Sequence, residues 1–295
     1  MKLIIRFYHL LITVIFRIKR FLRLTALPNS DQRILLFHEV DIADEGRFIA
    51  QIDSCSKNWS FIDPSKLNIE ADESSPSNKR ELVLTFDDGF SSDFSLAQNV
   101  LNPRGIKALF FVIPEFVDLK TEEDKSLFVS NRLYPGAKPS RIPTHLRSMN
   151  WEQISILSRQ GHTIGSHSSS HKRLSNISDE EELAREIVRS RQLIEDVIDK
   201  KVEHFAFPFG NLSSISMRSL QLARENYKYV YSGLRGSNHE IPPGFVLRRE
   251  TLHPWDPKGF ESAILNGAAD SRFRNSLSVL DCWCQEISDK ANPQC

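Results

Sequence analysis

Residues 82–90 run Leu82-Val83-Leu84-Thr85-Phe86-Asp87-Asp88-Gly89-Phe90. A continuous apolar run enters two adjacent carboxylates and then a glycine. The run has the composition of a buried strand, and Gly89 is a turn residue able to take positive φ. Two carboxylates at the end of a buried strand repel each other and lose hydration, so a cation or several donors must compensate them. Alone, Asp-Asp-Gly is also ordinary surface-turn chemistry. The decision rests on what lies to either side.

Downstream, Phe94, Ala97, Val100 and Leu101 have helical spacing and stop at Asn102-Pro103-Arg104-Gly105. Ala108–Val112 is a further buried strand, so the stretch is a βαβ unit with parallel strands. Upstream, Ile34–Phe37 is the first strand, running into His38-Glu39-Val40. Residues 45–58 are expected to be helical, and the serine-rich segment Pro64 to Arg80 is a surface connection. Between Asp118 and Asn150 periodicity fades, with Pro135, Pro139 and Pro143 breaking it, which is expected of a long functional loop. A helix at 151–160 leads to a short strand at 162–165 and then Ser166-His167-Ser168-Ser169-Ser170-His171. Helix 179–198 precedes strand His204–Phe207, which ends at Pro208-Phe209-Gly210. Helix 214–226, strands Tyr229–Ser232 and Phe245–Leu247, and a helical tail from Pro257 complete the chain. Strands alternate with helices and no internal repeat is present, so the fold class is α/β with a mainly parallel sheet, open or closed into a barrel.

The 295 residues allow one large domain or two small ones, and 40% hydrophobic with 26% charged residues excludes wholesale disorder and a multi-span membrane protein. Zero net charge gives no support for a nucleic-acid partner. Charge is unevenly placed, however: no acidic residue precedes Asp31, whereas Lys2, Arg6, Arg17, Lys19, Arg20 and Arg23 are basic. Residues 3–16 are apolar but interrupted by Arg6 and His9, and they fall short of the roughly 20 residues of a spanning helix. An apolar stretch followed by a basic cluster is expected to lie on an anionic membrane surface through residues 1–24, peripherally or as a signal-anchor, with the membrane side unassigned. Residues 1–27 are therefore read as a membrane-associating segment separable from a catalytic domain at 31–270, with a tail at 271–295. The four cysteines, Cys55, Cys282, Cys284 and Cys295, are too few and scattered for a disulfide scaffold, and Cys282-Trp283-Cys284 lacks zinc-knuckle spacing, so they are expected to be structural thiols.

Three strand ends carry polar residues: Asp87-Asp88, His167 with His171, and Pro208-Phe209-Gly210. In parallel α/β sheets these ends share one edge, where ligands bind. On a helical turn the two histidines, four residues apart, would point the same way. With one aspartate they make a three-ligand metal site with positions left for water and substrate, while the other aspartate moves protons.

Together these motifs resemble the polysaccharide deacetylases, the NodB-homology group also called carbohydrate esterase family four. The resemblance runs through Leu36-Phe37-His38-Glu39-Val40, Thr85–Gly89, Gly105–Val112, Trp151–His171 and Phe205–Gly210, across about residues 34–266. It implies a distorted (β/α) barrel and metal-dependent removal of acetyl groups, mostly N-acetyl, from glycans; a surface polysaccharide is the expected substrate, and the membrane-proximal amino end adds its lipid-linked precursor. By the same resemblance Asp87 is the general base, and Asp88, His167 and His171 hold one divalent ion, zinc or alternatively cobalt, manganese, nickel or iron. The backbone N–H of Phe209 would face the oxyanion. Two departures stand out. The family often opens its third motif with an arginine that pairs with the catalytic aspartate, and Ala206 occupies that place. Arg249, or else Arg248, is the expected substitute. The late Leu-x-His motif has no clean match, although Leu252-His253-Pro254-Trp255 offers His253 as general acid and Trp255 as a substrate contact. His38, His145, His162, His204 and His239 are expected to be structural. Another metallohydrolase on the same barrel, or a non-catalytic glycan-binding relative, remains the alternative.

Overall fold

The computed structural model describes residues 2–21, 30–67, 80–239 and 241–291. The expected break at Pro28-Asn29, the cluster's Arg23, Cys295 and most of the serine-rich connection lie outside the described residues.

The apolar runs form strands β1 (Asp31–Phe37), β2 (Ser60–Phe61), β3 (Arg80–Phe86), β4 (Leu109–Val112), β5 (Thr163–Ser166), β6 (His204–Ala206), β7 (Tyr229–Tyr231) and β8 (Glu250–Thr251). They pair in parallel in the order β7-β6-β5-β4-β3-β1-β8, with β2 also on β3. Alternate residues face opposite ways. Ile34, Val83, Leu109, Phe111, Ala206 and Tyr231 fill one apolar cluster, while Leu35, Phe37, Leu84, Phe86 and Phe110 belong to another that includes residues of the surrounding helices. Burial on both faces explains why these strands are continuous apolar runs rather than alternating ones.

The register aligns the carboxyl ends on one rim: Phe37 pairs with Phe86, Phe86 with Phe110, Val112 with Ser166, and Ala206 with Tyr231. One segment joins the two sheet edges. Leu247 bridges to Tyr231, and Glu250–Thr251 pairs with Leu35–Leu36. The expected strand at 245–247 is thus reduced to a single bridge, and Arg249 precedes β8 instead of following a strand. Both edges of the curled sheet draw hydrogen bonds from the same few residues, so neither pairing can extend.

Residues 118–150 also differ from expectation. They hold helix Glu122–Phe128 and a wide turn at Val129–Leu133. Val129 and Leu146 are buried with Phe90, Ile113 and Phe116, and Leu133, Tyr134 and Ile142 pack against them, so this segment has its own small core.

The first and last described helices both pack on the body. Helix Arg274–Ala291 buries Leu277, Leu280 and Cys284, whereas Cys282 is exposed and so is not the structural thiol expected. The amino-terminal helix, Lys2–Phe21, lies against helix Phe260–Leu265 and buries His9, Ile12, Thr13 and Phe16. Leu3, Ile4 and Phe7 on its other side are 70–80% exposed. No described helix is long and apolar enough to cross a membrane.

Candidate active site

At the end of β3 the chain turns sharply. The Asp87 N–H donates to the Phe37 carbonyl at 3.0 Å, and Asp88 then takes φ 71° and Gly89 φ 66°. A Cβ at Gly89 would come within 3.1 Å of Val112 Cγ1, so glycine is required by both dihedral and space. Asp88, Ser168, His171 and Phe209 are four of the five described non-glycine residues with positive φ. Left-handed backbone at such residues costs energy and persists where surrounding contacts enforce it, characteristically at ligand sites.

The fit to a metal ion can be judged from the donors. Asp88 Oδ1 is buried without a hydrogen-bond partner, 3.6 Å from His167 Nε2 and 3.5 Å from His171 Nε2. The three ligand atoms lie within 4.8 Å of one another. His167 Nδ1 donates to the Ala206 carbonyl at 2.8 Å, which fixes the tautomer and frees Nε2 as a lone-pair donor. Burial pushes Asp88 up to about 7; His38 opposes the rise, and Asp87 and Glu39 add to it. Burial also pulls His167 down to about 4 and lowers His171, so both imidazoles are neutral. An orphaned carboxylate oxygen facing two neutral imidazole nitrogens suits a divalent cation.

Asp87 is arranged for a different task. Arg249 donates Nη1 to Oδ1 at 2.6 Å and Nη2 to Oδ2 at 2.9 Å, with its Nε on the Ser232 carbonyl at 2.7 Å. The guanidinium is 1% exposed. Burial alone would raise Asp87, but Arg249, aided by His167, holds it down at about 2. Arg248 turns away to Asp281 at 2.9 Å, as alternation along an extended chain requires.

All eight residues singled out in the sequence, Asp87, Asp88, His167, His171, Phe209, Arg249, His253 and Trp255, line one cavity of about 280 Å³. The polysaccharide deacetylase family model matches residues 74–230, just over half of the chain. The chain belongs to the polysaccharide deacetylase family. It is 17% identical over 227 residues to YxkH of Bacillus subtilis (strain 168), itself a polysaccharide deacetylase by assignment, covering 75% of this chain and 71% of that one. Its fold is similar to IcaB from Ammonifex degensii, with TM-score 0.62, 21% identity, and 82% of this chain and 98% of that chain covered. It is also similar to the Streptococcus pyogenes deacetylase PplD in complex with acetate, with TM-score 0.60, 17% identity, and 79% and 98% covered.

Within this pocket several placements depart from what the sequence alone suggests. The histidine pair does not sit on a helical turn. Residues 167–173 form a loop, and left-handed Ser168 and His171 aim the two rings together at 5.1 Å between centroids. His38, expected to be structural, lines the cavity beside Glu39, which accepts a 2.7 Å hydrogen bond from the Tyr134 hydroxyl. The reason is register, since Phe37 pairs with Phe86 and the following residues His38 and Asp87 leave the rim together. His253 stacks on Trp255 at 4.4 Å, and burial pulls it down to about 4. The ring is therefore neutral at pH 7. The Phe209 ring lies 4.8 Å from His171 and under the Arg173 guanidinium at 4.5 Å.

Glu186 belongs to none of the sequence motifs. It is 2% exposed and accepts the Ser170 N–H at 2.9 Å and the Ser170 hydroxyl at 2.5 Å, which ties down the loop before His171. A glutamate three residues after Leu183 and one before Ile187, both on the buried face of helix 179–198, was the available signal.

Proposed function

We propose that this chain is a metal-dependent carbohydrate deacetylase that hydrolyses acetyl groups, N-acetyl first among them, on a polysaccharide or a lipid-linked glycan. The observation that carries the reading is the division of labour between neighbouring aspartates. One is held ionised by a bidentate arginine, and the other presents a bare oxygen to two neutral imidazoles.

Asp88, His167 and His171 would hold the ion, and zinc is the assignment that two imidazoles and one carboxylate favour. When bound, such an ion polarises the acetyl carbonyl and lowers the pKa of water. Asp87 takes the proton of the attacking water, and Arg249 keeps that carboxylate ionised and its two oxygens fixed in orientation. Phe209, held at φ 64° in the turn before Gly210, offers its backbone N–H to the developing oxyanion. Trp255 and the Phe209 ring provide flat apolar walls for a sugar.

The amino-terminal helix supports a peripheral membrane location. Leu3, Ile4, Phe7, Leu10, Leu11, Val14, Ile15 and Ile18 form an exposed apolar face, with Arg6, Arg17 and Lys19 on the same helix. An apolar face with flanking cations is the chemistry of an interfacial helix on anionic lipid. A lipid-linked glycan would then meet the pocket at the surface.

Purified full-length protein loaded with zinc should release acetate from at least one member of a panel of N-acetylated, O-acetylated and lipid-linked glycans. Absence of acetate release across the panel, with metal bound, would contradict the proposal.

A further inference from the structure

We propose that the amino-terminal helix is a working part of the catalytic pocket, with His9 as a positioning residue for the wall that carries His253 and Trp255. The inference rests on the reading of this pocket as the deacetylase site.

His9 is 6% exposed, and its Nδ1 donates to Asp256 Oδ1 at 2.6 Å. The other Asp256 oxygen accepts the backbone N–H of His253 at 2.7 Å. One carboxylate therefore joins residue 9 to residue 253. The Asp256 side chain is fully buried, so without His9 its carboxyl group would be left with one backbone donor.

Ring packing runs the same way. The His9 ring stacks on Phe260 at 3.9 Å and lies within 8° of parallel to Trp255 and 15° of His253. Residues 253–258 contain no helix or strand, and Pro254 and Pro257 deny them two backbone donors. A turn bond from the Asp256 N–H to the His253 carbonyl at 2.9 Å is their own, and further holds come from outside. Gln51 Nε2 donates to the His253 carbonyl at 2.8 Å, and Arg17 donates to the Lys258 carbonyl at 2.9 Å. Two of these external holds, His9 and Arg17, come from the amino-terminal helix. Ile5, one turn before His9, reaches the pocket itself and lines it with Asp87, His171 and Phe209.

The consequence is that segment 1–21 helps to set catalytic geometry, and its removal does more than free the protein from a surface. A wall misplaced by about 1 Å can cost up to 10²-fold in rate, so a smaller displacement of His253 and Trp255 is expected to cost about tenfold.

The test uses the full-length, zinc-loaded protein with His9→Leu, which keeps apolar bulk but cannot hydrogen-bond, and His9→Asn, whose amide N–H takes the place of Nδ1. Two quantities are read: kcat and KM per folded molecule on one acetylated oligosaccharide, and hydrogen exchange of peptides spanning 250–257. His9→Leu should lose about tenfold in kcat/KM and exchange faster over 250–257 with metal content unchanged, and His9→Asn should restore most of both. Unchanged exchange and kcat/KM in His9→Leu would overturn the proposal. So would a lowered Tm with unchanged kcat/KM, which would make His9 an anchor for the helix alone. Should His9→Leu fail to fold, Asp256→Asn carries the same comparison. If the wild type releases no acetate from any member of the glycan panel, the deacetylase reading fails by itself. The exchange data then decide: faster exchange in His9→Leu supports the positioning role, and unchanged exchange removes it.

Discussion

Arg249 and Asp87, 162 residues apart in sequence, meet as a bidentate pair with N–O distances of 2.6 and 2.9 Å in the wall of the pocket. Ala206 stands where relatives often carry that arginine, and the cation arrives instead from the segment that closes the sheet. The pair makes a prediction about pH. Burial pushes the Asp87 carboxyl up, and Arg249 is the main influence holding it at about 2. In Arg249→Met the carboxyl should protonate at higher pH, so the acidic limb of the kcat/KM profile should move up by about 1–3 pH units. An unmoved limb with reduced activity would mean that Arg249 acts only on packing.

The proposed metal site makes a second prediction. His171→Ala should lose most bound zinc at limiting metal, measured by elemental analysis of the dialysed protein. Glu186→Gln should keep the fold and weaken zinc affinity by about 10–100-fold, because Glu186 holds the loop that aims His171. Equal affinity in Glu186→Gln would show that the loop needs no such hold.

Much of this architecture is legible in the sequence for a physical reason. Strands buried on both faces must be apolar throughout, so Leu82–Phe86 and Ala108–Val112 announce themselves, and the polar residues that follow mark the rim. What escapes is whatever depends on distant partners. His38 has no second ligand type nearby in sequence, and only the β1–β3 register brings it beside Asp87. The His167–His171 loop owes its left-handed residues to contacts such as those with Glu186, 16 residues beyond Ser170. The amino-terminal helix is apolar on two sides, and periodicity does not say which side packs on Phe260 and which stays exposed.

Stability should fall with acid in a specific way. Burial lowers His204 to about 3, with Lys228 adding to the effect, whereas an unfolded histidine titrates near 6.5. Between those values the unfolded chain binds a proton that the folded chain refuses. The His204 contribution is therefore complete above about pH 6.5 and is lost as pH falls toward 3. From pH 7 to 5 this one residue should cost about 2 kcal/mol. Urea denaturation at the two pH values should show that loss. His204→Asn, which can still hydrogen-bond to the Tyr231 hydroxyl, should reduce it by a similar amount. An identical pH dependence in the variant would remove His204 as its source.

The exposed face of the amino-terminal helix can be tested without disturbing the buried one. Phe7 and Leu11 are 70% and 48% exposed, so Phe7→Ser with Leu11→Ser should leave Tm nearly unchanged. The double variant should sediment with anionic vesicles much less than the wild type does, and high salt should weaken the wild type's binding as well. Equal sedimentation of both proteins would contradict the membrane proposal.

The central claim is that Asp87 acts as the base beside a metal held by Asp88, His167 and His171. Its most direct test is acetate release by zinc-loaded Asp87→Asn against the zinc-loaded wild type, on an acetylated glycan that the wild type accepts. Asp87→Asn should show equal zinc content, equal Tm within a few degrees, and turnover lower by about 10²-fold or more. Near-normal turnover with an unchanged pH profile would contradict it.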